Sequence, residues 1–144
     1  MEILQNIKIL SIEDNQPDRC LIFQALKESG LNYEIYMVSN GYDALNFLKN
    51  NEKYGGAPTP DIILLDLNLP DINGFEILKK INEDENLKEI PVVVLTGSDN
   101  HLDIMNAFQN RVCSYIIKPG DYKGYLSAMT GLKVLIDSKS VLNP

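Results

Sequence analysis

The stretch Asp61-Ile-Ile-Leu-Leu-Asp66 decides the fold of this 144-residue chain. It predicts a strand over residues 61–66, in which a short apolar run ends in a carboxylate. Similar runs occur at residues 7–12, which Glu13 and Asp14 follow, and at residues 91–96. Unbroken apolar runs of this length are typical of strands covered on both faces in a parallel sheet. In such a sheet the carboxyl ends of the strands meet at one edge, where ligands bind.

Outward from this stretch, apolar strands alternate with segments of helical spacing. We predict strands over residues 7–12, 33–38, 61–66, 91–96 and 114–117. The first predicted helix begins at the start signals Asn15 and Pro17 and ends at Ser29. Two more are predicted over residues 42–48 and 75–83. The fourth begins at Ser98 or Asp99 and ends at about residue 109, and the fifth covers residues 121–136. This order predicts an α/β fold with one five-stranded parallel sheet, five helices and right-handed crossovers. Residues 50–60 are predicted to form a polar loop.

Length and composition indicate one domain over residues 1–144, with its core at about residues 7–137 and no output domain. The net charge of −7 argues against non-specific binding to nucleic acid or to an anionic membrane, which needs basic patches. No secretory signal and no bilayer-spanning segment is recognisable, so we expect a cytoplasmic protein. Cys20 and Cys113 form no CxxC pair, and we expect two small buried residues in a reducing compartment.

The acids at the predicted strand ends indicate a site for a hard divalent cation. Mg²⁺ prefers oxygen ligands, and Glu13, Asp14 and Asp66 could supply them together with a backbone carbonyl near Asn68. An acidic Glu-Asp pair on its own is better explained as a solvated turn than as a cation site. Thr96 and Lys118, which also lie at strand ends, favour the functional interpretation.

Asp66 is the best candidate for a nucleophile, because a carboxylate can attack a phosphoryl group and form an acyl phosphate. Lys118 could offset part of the developing charge, and the Thr96 hydroxyl could donate a hydrogen bond to a phosphoryl oxygen. Pro119 forces an abrupt exit from the fifth strand, which would hold Lys118 at the edge of the sheet.

These residues carry a resemblance to a known family. The chain resembles the receiver domain of two-component response regulators, which has the flavodoxin-like, doubly wound fold. The resemblance covers essentially the whole chain, and the matching residues are Glu13-Asp14, Asp66, Pro70, Gly74, Thr96, Tyr115 and Lys118-Pro119.

The resemblance implies a role for each matching residue. Asp66 would accept a phosphoryl group from the phosphohistidine of a sensor histidine kinase, and Thr96 and Lys118 would hold it. Tyr115 would be the aromatic switch that turns inward when Thr96 moves. The ligands of Mg²⁺ would be Glu13, Asp14, Asp66 and the backbone carbonyl of Asn68. The protein would then be a phosphoacceptor in signalling, which catalyses only its own phosphotransfer and dephosphorylation.

Three features depart from the common pattern of the family. Glu13 replaces the more usual aspartate. Asn73-Gly74 replaces the usual Asp-Gly, so only a turn-forming role carries over from the family. The segment of residues 50–60 is longer than the corresponding segment of a minimal receiver. The long segment resembles stand-alone receivers that pair with phytochrome-type histidine kinases, so such a kinase is an expected partner.

The expected output is a change at the face formed by the fourth helix, the fifth strand and the fifth helix. A downstream protein, a phosphotransfer protein or a second copy of the chain would bind there. Tyr122 and Tyr125 are the candidates for exposed contacts with the partner, whereas Phe108 and Met129 are expected in the core. His101, the only histidine, is expected to be solvated, so the chain is not the kinase itself.

Three other functions compete with the receiver. A magnesium-dependent phosphatase with an aspartate nucleophile needs a second acid two residues later, and Asn68 cannot titrate. A phosphorylation-independent adaptor would usually have lost part of the acid cluster or the lysine. A flavin-binding module would need a phosphate loop after the first strand, where Glu13-Asp14 has the wrong charge.

Overall fold

The computed structural model describes residues 6–142, and the side chains of residues 6–137. Five parallel strands form one sheet in the order β2-β1-β3-β4-β5. The strands are β1 (Ile7–Ile12), β2 (Tyr33–Val38), β3 (Ile62–Leu65), β4 (Val92–Thr96) and β5 (Ser114–Ile117). The predicted parallel sheet is confirmed, and the strand carrying the apolar run of residues 62–65 lies in its centre.

The helices alternate with the strands along the chain. They are α1 (Gln16–Glu28), α2 (Gly41–Lys49), α3 (Gly74–Glu83), α4 (His101–Gln109) and α5 (Tyr122–Leu142). Each of the first four begins after an asparagine whose side chain accepts a hydrogen bond from a backbone N–H of the first turn, and these caps are Asn15, Asn40, Asn73 and Asn100. Such caps satisfy N–H groups that have no partner within the helix.

Two apolar clusters cover the two faces of the sheet. On one face, Leu10 and Ile63 pack with side chains of α2, α3 and α4. On the other face, Ile9 and Leu64 pack with side chains of α1 and α5. Neighbouring residues of one strand point to opposite faces, so a strand needs apolar residues at every position to be buried on both. The chain therefore has the doubly wound arrangement that the sequence predicts.

Several predicted boundaries differ from the structure. The last helix continues to Leu142 instead of ending at residue 136, because neither glycine nor proline interrupts it between residues 132 and 142. Residues 50–60 contain a short 3₁₀ helix, Glu52–Tyr54. The fourth helix is capped by Asn100 and not by Ser98 or Asp99. No helix within residues 6–142 combines the length and apolar character that a membrane span needs.

The predicted exposure of some side chains is wrong. Tyr125 is only 1% exposed because it lies on the face of α5 that covers the sheet, four residues before the equally buried Met129. Phe108 is 51% exposed on the outer side of α4, so its expected place in the core is also wrong. The expected burial of the two cysteines is wrong as well. Cys20, on the outer side of α1, and Cys113, just before the edge strand β5, are exposed free thiols.

Candidate functional site

The candidate site lies at the carboxyl edge of the sheet, where the loops after four strands meet. The backbone N–H of Asp66 donates to the carbonyl of Ile12 at 3.1 Å, which places Asp66 beside the end of β1. The backbone N–H of Lys118 donates to the carbonyl of Thr96 at 2.7 Å, which places Lys118 beside the end of β4. The parallel register therefore brings together residues that are far apart in the sequence.

Asp66 is a buried carboxylate with both oxygens engaged. It is 4% exposed, and the hydroxyl of Thr96, itself fully buried, donates to its Oδ1 at 2.8 Å. The backbone N–H of Asn68 donates to the same oxygen at 3.0 Å. Lys118 Nζ donates to Oδ2 at 2.9 Å. A buried charge needs such partners, and two of the three come from the predicted site residues Thr96 and Lys118.

The ammonium of Lys118 contacts three carboxylates. Its Nζ lies 2.7 Å from Asp18 Oδ2, 2.9 Å from Asp66 Oδ2 and 3.0 Å from Glu13 Oε1. Burial acts against the charged ammonium, but the hydrogen bonds to Asp18, Asp66 and Glu13 outweigh it and raise the pKa of Lys118. The side chain therefore stays charged over the whole physiological range, with one carboxylate for each of its three N–H donors.

Asp18 is the residue of this group that the sequence analysis missed. It lies in the first turn of α1, and its Oδ1 accepts a hydrogen bond from the hydroxyl of Tyr125 at 3.0 Å. Burial and the hydrogen bond to Asp18 raise the pKa of Tyr125, so the hydroxyl remains a donor. The only available signal was that α1 begins directly after the carboxyl end of β1, which brings the first turn close to the site.

Glu13 is the most deeply buried acid of the site, with 2% of its surface exposed. The backbone N–H of Asn15 donates to its Oε2 at 3.1 Å. Burial raises the pKa of Glu13 to about 7, although the hydrogen bond from Lys118 works in the opposite direction. A cation beside Glu13 would favour its charged form, because a nearby positive charge offsets part of the cost of burying the carboxylate.

The donor set at this edge suits a hard divalent cation. One carboxylate oxygen from each of Glu13, Asp14 and Asp66 lies within 4.8 Å of the other two, and Asp14 is exposed while the other two are buried. Three carboxylate oxygens are the kind of ligand that Mg²⁺ and Mn²⁺ prefer. Asn68 lies beside them, and the role of its backbone carbonyl as a ligand stays a prediction.

Tyr115 lies beside the loop that follows β4. Its ring is partly buried against the apolar cluster that contains Leu10 and Ile63, and its hydroxyl donates to the carbonyl of Ser98 at 2.9 Å. The side chain of Ser98 in turn donates to Asp103 in the first turn of α4, at 2.6 Å. Tyr115 is thus linked to the segment that begins with Thr96, and its function as a switch stays a prediction.

The loop between Asp66 and α3 is fixed by backbone contacts. Asp71 accepts hydrogen bonds from the backbone N–H groups of Gly41, Tyr42 and Ile72 at 2.8, 2.9 and 2.8 Å. Burial acts to raise the pKa of Asp71, but these N–H groups outweigh it and lower the pKa. Asp71 therefore fastens this loop to the N-terminus of α2.

Gly74 has a different role from the turn-forming one that the sequence indicated. It is the first residue of α3, and a Cβ atom at this position would lie 2.6 Å from the Cα of Leu67. The position requires glycine because the start of the helix approaches the backbone next to Asp66. The preceding residue, Asn73, serves as the helix cap.

Comparison with known proteins identifies relatives over most of the chain. Residues 9–130 match the family described as the response regulator receiver domain. The response regulator Rcp1 of Synechocystis is 37% identical over 125 residues, which are 87% of this chain and 85% of Rcp1. The chemotaxis protein CheY-3 of Vibrio cholerae is 32% identical over 115 residues, which are 80% of this chain and 82% of CheY-3.

Solved structures show the same likeness. The phosphorylated cyanobacterial phytochrome response regulator RcpA superposes with a TM-score of 0.85 at 39% identity, over 90% of this chain and 92% of RcpA. The Mn²⁺-bound form of Rcp1 superposes with a TM-score of 0.82 at 36% identity, over 88% of this chain and 91% of Rcp1. The flavodoxin-like receiver fold that the sequence predicts is therefore confirmed.

Proposed function

Because this chain belongs to the response regulator receiver domain family, whose members act in two-component phosphorelay signalling, we propose that Asp66 is the residue that accepts the phosphoryl group. One observation carries the proposal: Asp66 is buried at the shared edge, with Thr96 on one oxygen and Lys118 on the other. Glu13 and Asp14 lie within 4.8 Å of it.

The donor in this proposal is the phosphohistidine of a sensor histidine kinase. An oxygen of the Asp66 carboxylate attacks phosphorus, and the bond between phosphorus and the imidazole nitrogen breaks with its electron pair leaving on the imidazole. Lys118 and Thr96, which already donate to the two oxygens of Asp66, each transfer one hydrogen bond to an oxygen of the incoming phosphoryl group. The likeness to RcpA supports a phytochrome-type kinase as the partner.

Mg²⁺ is the proposed cation of the site, with Glu13, Asp14, Asp66 and the Asn68 backbone carbonyl as its protein ligands. When bound, the cation offsets negative charge on the phosphoryl oxygens. The carboxylate donor set and the Mn²⁺-bound form of the relative Rcp1 support a divalent cation here. Magnesium is the cation expected to dominate where phosphates are handled.

The proposed switch consists of Thr96 and Tyr115. When the Thr96 hydroxyl donates to the phosphoryl group, the segment that follows it moves, and the hydrogen bond from Tyr115 to the Ser98 carbonyl is released. Tyr115 then turns inward. The proposal is supported by the direct connection between this segment, Tyr115 and the first turn of α4.

The signal is proposed to leave through the face made by α4, β5 and α5, which a downstream protein, a phosphotransfer protein or a second copy of the chain would bind. Four large apolar side chains are exposed on α4 and β5, namely Leu102, Met105, Phe108 and Ile117. Exposed apolar groups of this kind often mark interaction surfaces. Tyr125 is buried and therefore cannot contact a partner at this face. Tyr122 is half-buried, and its hydroxyl donates to Glu28 Oε2 at 2.7 Å.

A covalent adduct tests the assignment of Asp66. The protein is incubated with Mg²⁺ and a small acyl phosphate, and intact mass spectrometry measures the fraction that gains one phosphoryl group. We expect a labile adduct in the parent protein and in Asp61→Asn, and none in Asp66→Asn or when the cation is chelated.

Three outcomes would contradict the proposal. An adduct that persists in Asp66→Asn would place the acceptor elsewhere. Absence of any adduct in the parent protein would favour a phosphorylation-independent adaptor. Rapid multiple turnover of the acyl phosphate would favour a phosphatase.

A further inference from the structure

The ammonium of Lys118 has its shortest contact with a carboxylate outside the predicted site. Asp18 Oδ2 lies 2.7 Å from Lys118 Nζ, closer than Asp66 or Glu13. The other oxygen of Asp18 accepts a hydrogen bond from Tyr125, which is 1% exposed in α5. Asp18 therefore connects Lys118 to a rigid, buried group on a neighbouring helix.

The ordinary role of an acid at a helix start does not explain this arrangement. Asp43 occupies the equivalent position in α2, where an asparagine cap likewise accepts from the backbone N–H three residues later. The side chain of Asp43 accepts from its own cap, Asn40 Nδ2, at 3.2 Å. Asp18 instead has side chains from α5 and from the end of β5 on its two oxygens. It does not close a capping box with Asn15, whose backbone N–H donates to Glu13.

Asp18 also differs from the other two carboxylates that contact Lys118. Glu13 and Asp66 belong to the donor set proposed for the cation, whereas Asp18 does not. Asp66 is in addition the proposed acceptor. Of the three partners of Lys118, Asp18 is therefore the one that is free to keep its contact while the other two serve the cation and the phosphoryl group.

We propose that Asp18, held by Tyr125, is a positioning residue that keeps the Lys118 ammonium beside Asp66 during phosphoryl transfer. Lysine has a flexible side chain of four methylene groups, and ordering it at the moment of reaction costs entropy. A fixed carboxylate on one N–H orders the ammonium in advance and leaves the remaining N–H donors for the phosphoryl oxygens. This inference rests on the proposed function of Asp66 and Lys118.

The first experiment measures the rate of phosphorylation by a small acyl phosphate at saturating Mg²⁺. We expect Asp18→Ala to lower the maximal rate about tenfold, with little change in the donor concentration at half-maximal rate, because an oriented group is lost. Asp18→Asn retains an acceptor and should lose less, and Tyr125→Phe should lose about two- to threefold. Asp43→Ala is the matched control and should keep the parent rate. It removes an acid from the same position of another helix, and that acid contacts Asn40 and Lys53 instead of Lys118.

Two further measurements separate positioning from a structural effect. In the Lys118→Met background, Asp18→Ala should cause no additional loss of rate, because the two residues act as a unit. In the protein without donor, ¹⁵N NMR of lysine ammonium groups should show the Lys118 signal in the parent and in Asp43→Ala, and its loss or shift in Asp18→Ala.

The proposal is overturned if Asp18→Ala phosphorylates at the parent rate, or if it loses the same factor in the Lys118→Met background. If Asp18→Ala does not fold, Asp18→Asn decides by the same two criteria. If the parent protein takes up no phosphoryl group, the proposed function itself fails. An unchanged Lys118 ammonium signal in Asp18→Ala would refute the positioning contact, whatever the outcome of the phosphorylation experiment.

Discussion

Asp61 and Asp66 flank the same central strand and have opposite surroundings. Asp61, at the amino end of β3, is exposed, and its Oδ2 accepts a hydrogen bond from the backbone N–H of Lys8 at 2.8 Å. Asp66, at the carboxyl end, is buried and has the side chains of Thr96 and Lys118 on its oxygens. The first acid fastens one strand to another, and the second has the surroundings of a reactive group.

The same distinction applies to two further acids. Asp71 resembles Asp61, because its three hydrogen bonds come from backbone N–H groups. Asp18 resembles Asp66, because Lys118 and Tyr125 reach it with side chains. What separates the two kinds of acid is therefore the origin of their hydrogen-bond donors and not the residue type. Substituting one acid or its partner at a time should therefore affect phosphorylation for the second kind and only folding for the first.

Lys118→Met should have the largest effect on the side of Asp66. It removes the charged donor, so phosphorylation by an acyl phosphate should slow by about a hundredfold. Glu13 and Asp66 also lose their buried counter-ion, and the free energy of unfolding without metal should fall by about 3 kcal/mol. Chemical denaturation with and without Mg²⁺ measures the second effect, and the cation should restore part of the lost stability. A variant as stable and as reactive as the parent would remove the distinction between Asp66 and Asp61.

Asp71→Asn should have an intermediate effect, confined to folding. The lowered pKa of Asp71 means that the folded state stabilises the charged carboxylate more than the unfolded state does. The contribution is therefore present above the ordinary pKa of 3.8 and is lost as the pH falls through the lower, folded-state value. Asp71 is exposed, so solvent screens its charge and keeps the contribution small. We expect a loss of at most about 1 kcal/mol at pH 7, from the charge-assisted hydrogen bonds, that disappears in strong acid.

Denaturation curves of the parent and Asp71→Asn at a series of pH values check this expectation. The phosphorylation rate of the same variant at pH 7 serves as the control and should be unchanged. A stability difference that persists at the acid end would show that the charge of Asp71 is not its source.

Asp61→Asn should have the smallest effect of all. The amide oxygen can still accept from Lys8, and the position is exposed, so the free energy of unfolding should change by less than about 0.5 kcal/mol. The phosphoryl adduct should form as in the parent, which makes this variant the control for Asp66→Asn at the other end of the strand. Equal loss of the adduct in both variants would mean that the substitution acts on β3 as a whole.

The sequence predicted the fold and most of the site because both depend on strand ends. Apolar runs identified the strands, and parallel pairing then required Glu13, Asp66, Thr96 and Lys118 to share one edge. Asp18 escaped prediction because an acid in a first helical turn is already explained by the helix dipole. Its contact with Lys118 depends on how α1 is rotated against the sheet, which no local pattern encodes.

The exposure of Tyr125 could have been predicted correctly from helical spacing alone. Tyr125, Met129 and Leu132 recur at intervals of four and three residues, which places them on one face of a helix, and all three are buried. The sequence analysis assigned Met129 to the core and Tyr125 to contacts with a partner, because tyrosine is common at interfaces. In the structure, Asp18 accepts the hydrogen bond from that hydroxyl inside the protein.

The close contact at Gly74 has a consequence for the evolution of this chain. The backbone N–H of Gly74 donates to the carbonyl of Leu67 at 3.1 Å, and Asp71 ties the middle of the same loop to α2. An inserted or deleted residue would break this closed ring next to Asp66. The mostly exposed segment around Glu52–Tyr54 lies outside this ring, so its length can change between homologues without altering the loop next to Asp66. Among descendants of a common ancestor, insertions and deletions should occur mainly in that segment, whereas the number of residues between Asp66 and Gly74 should stay constant.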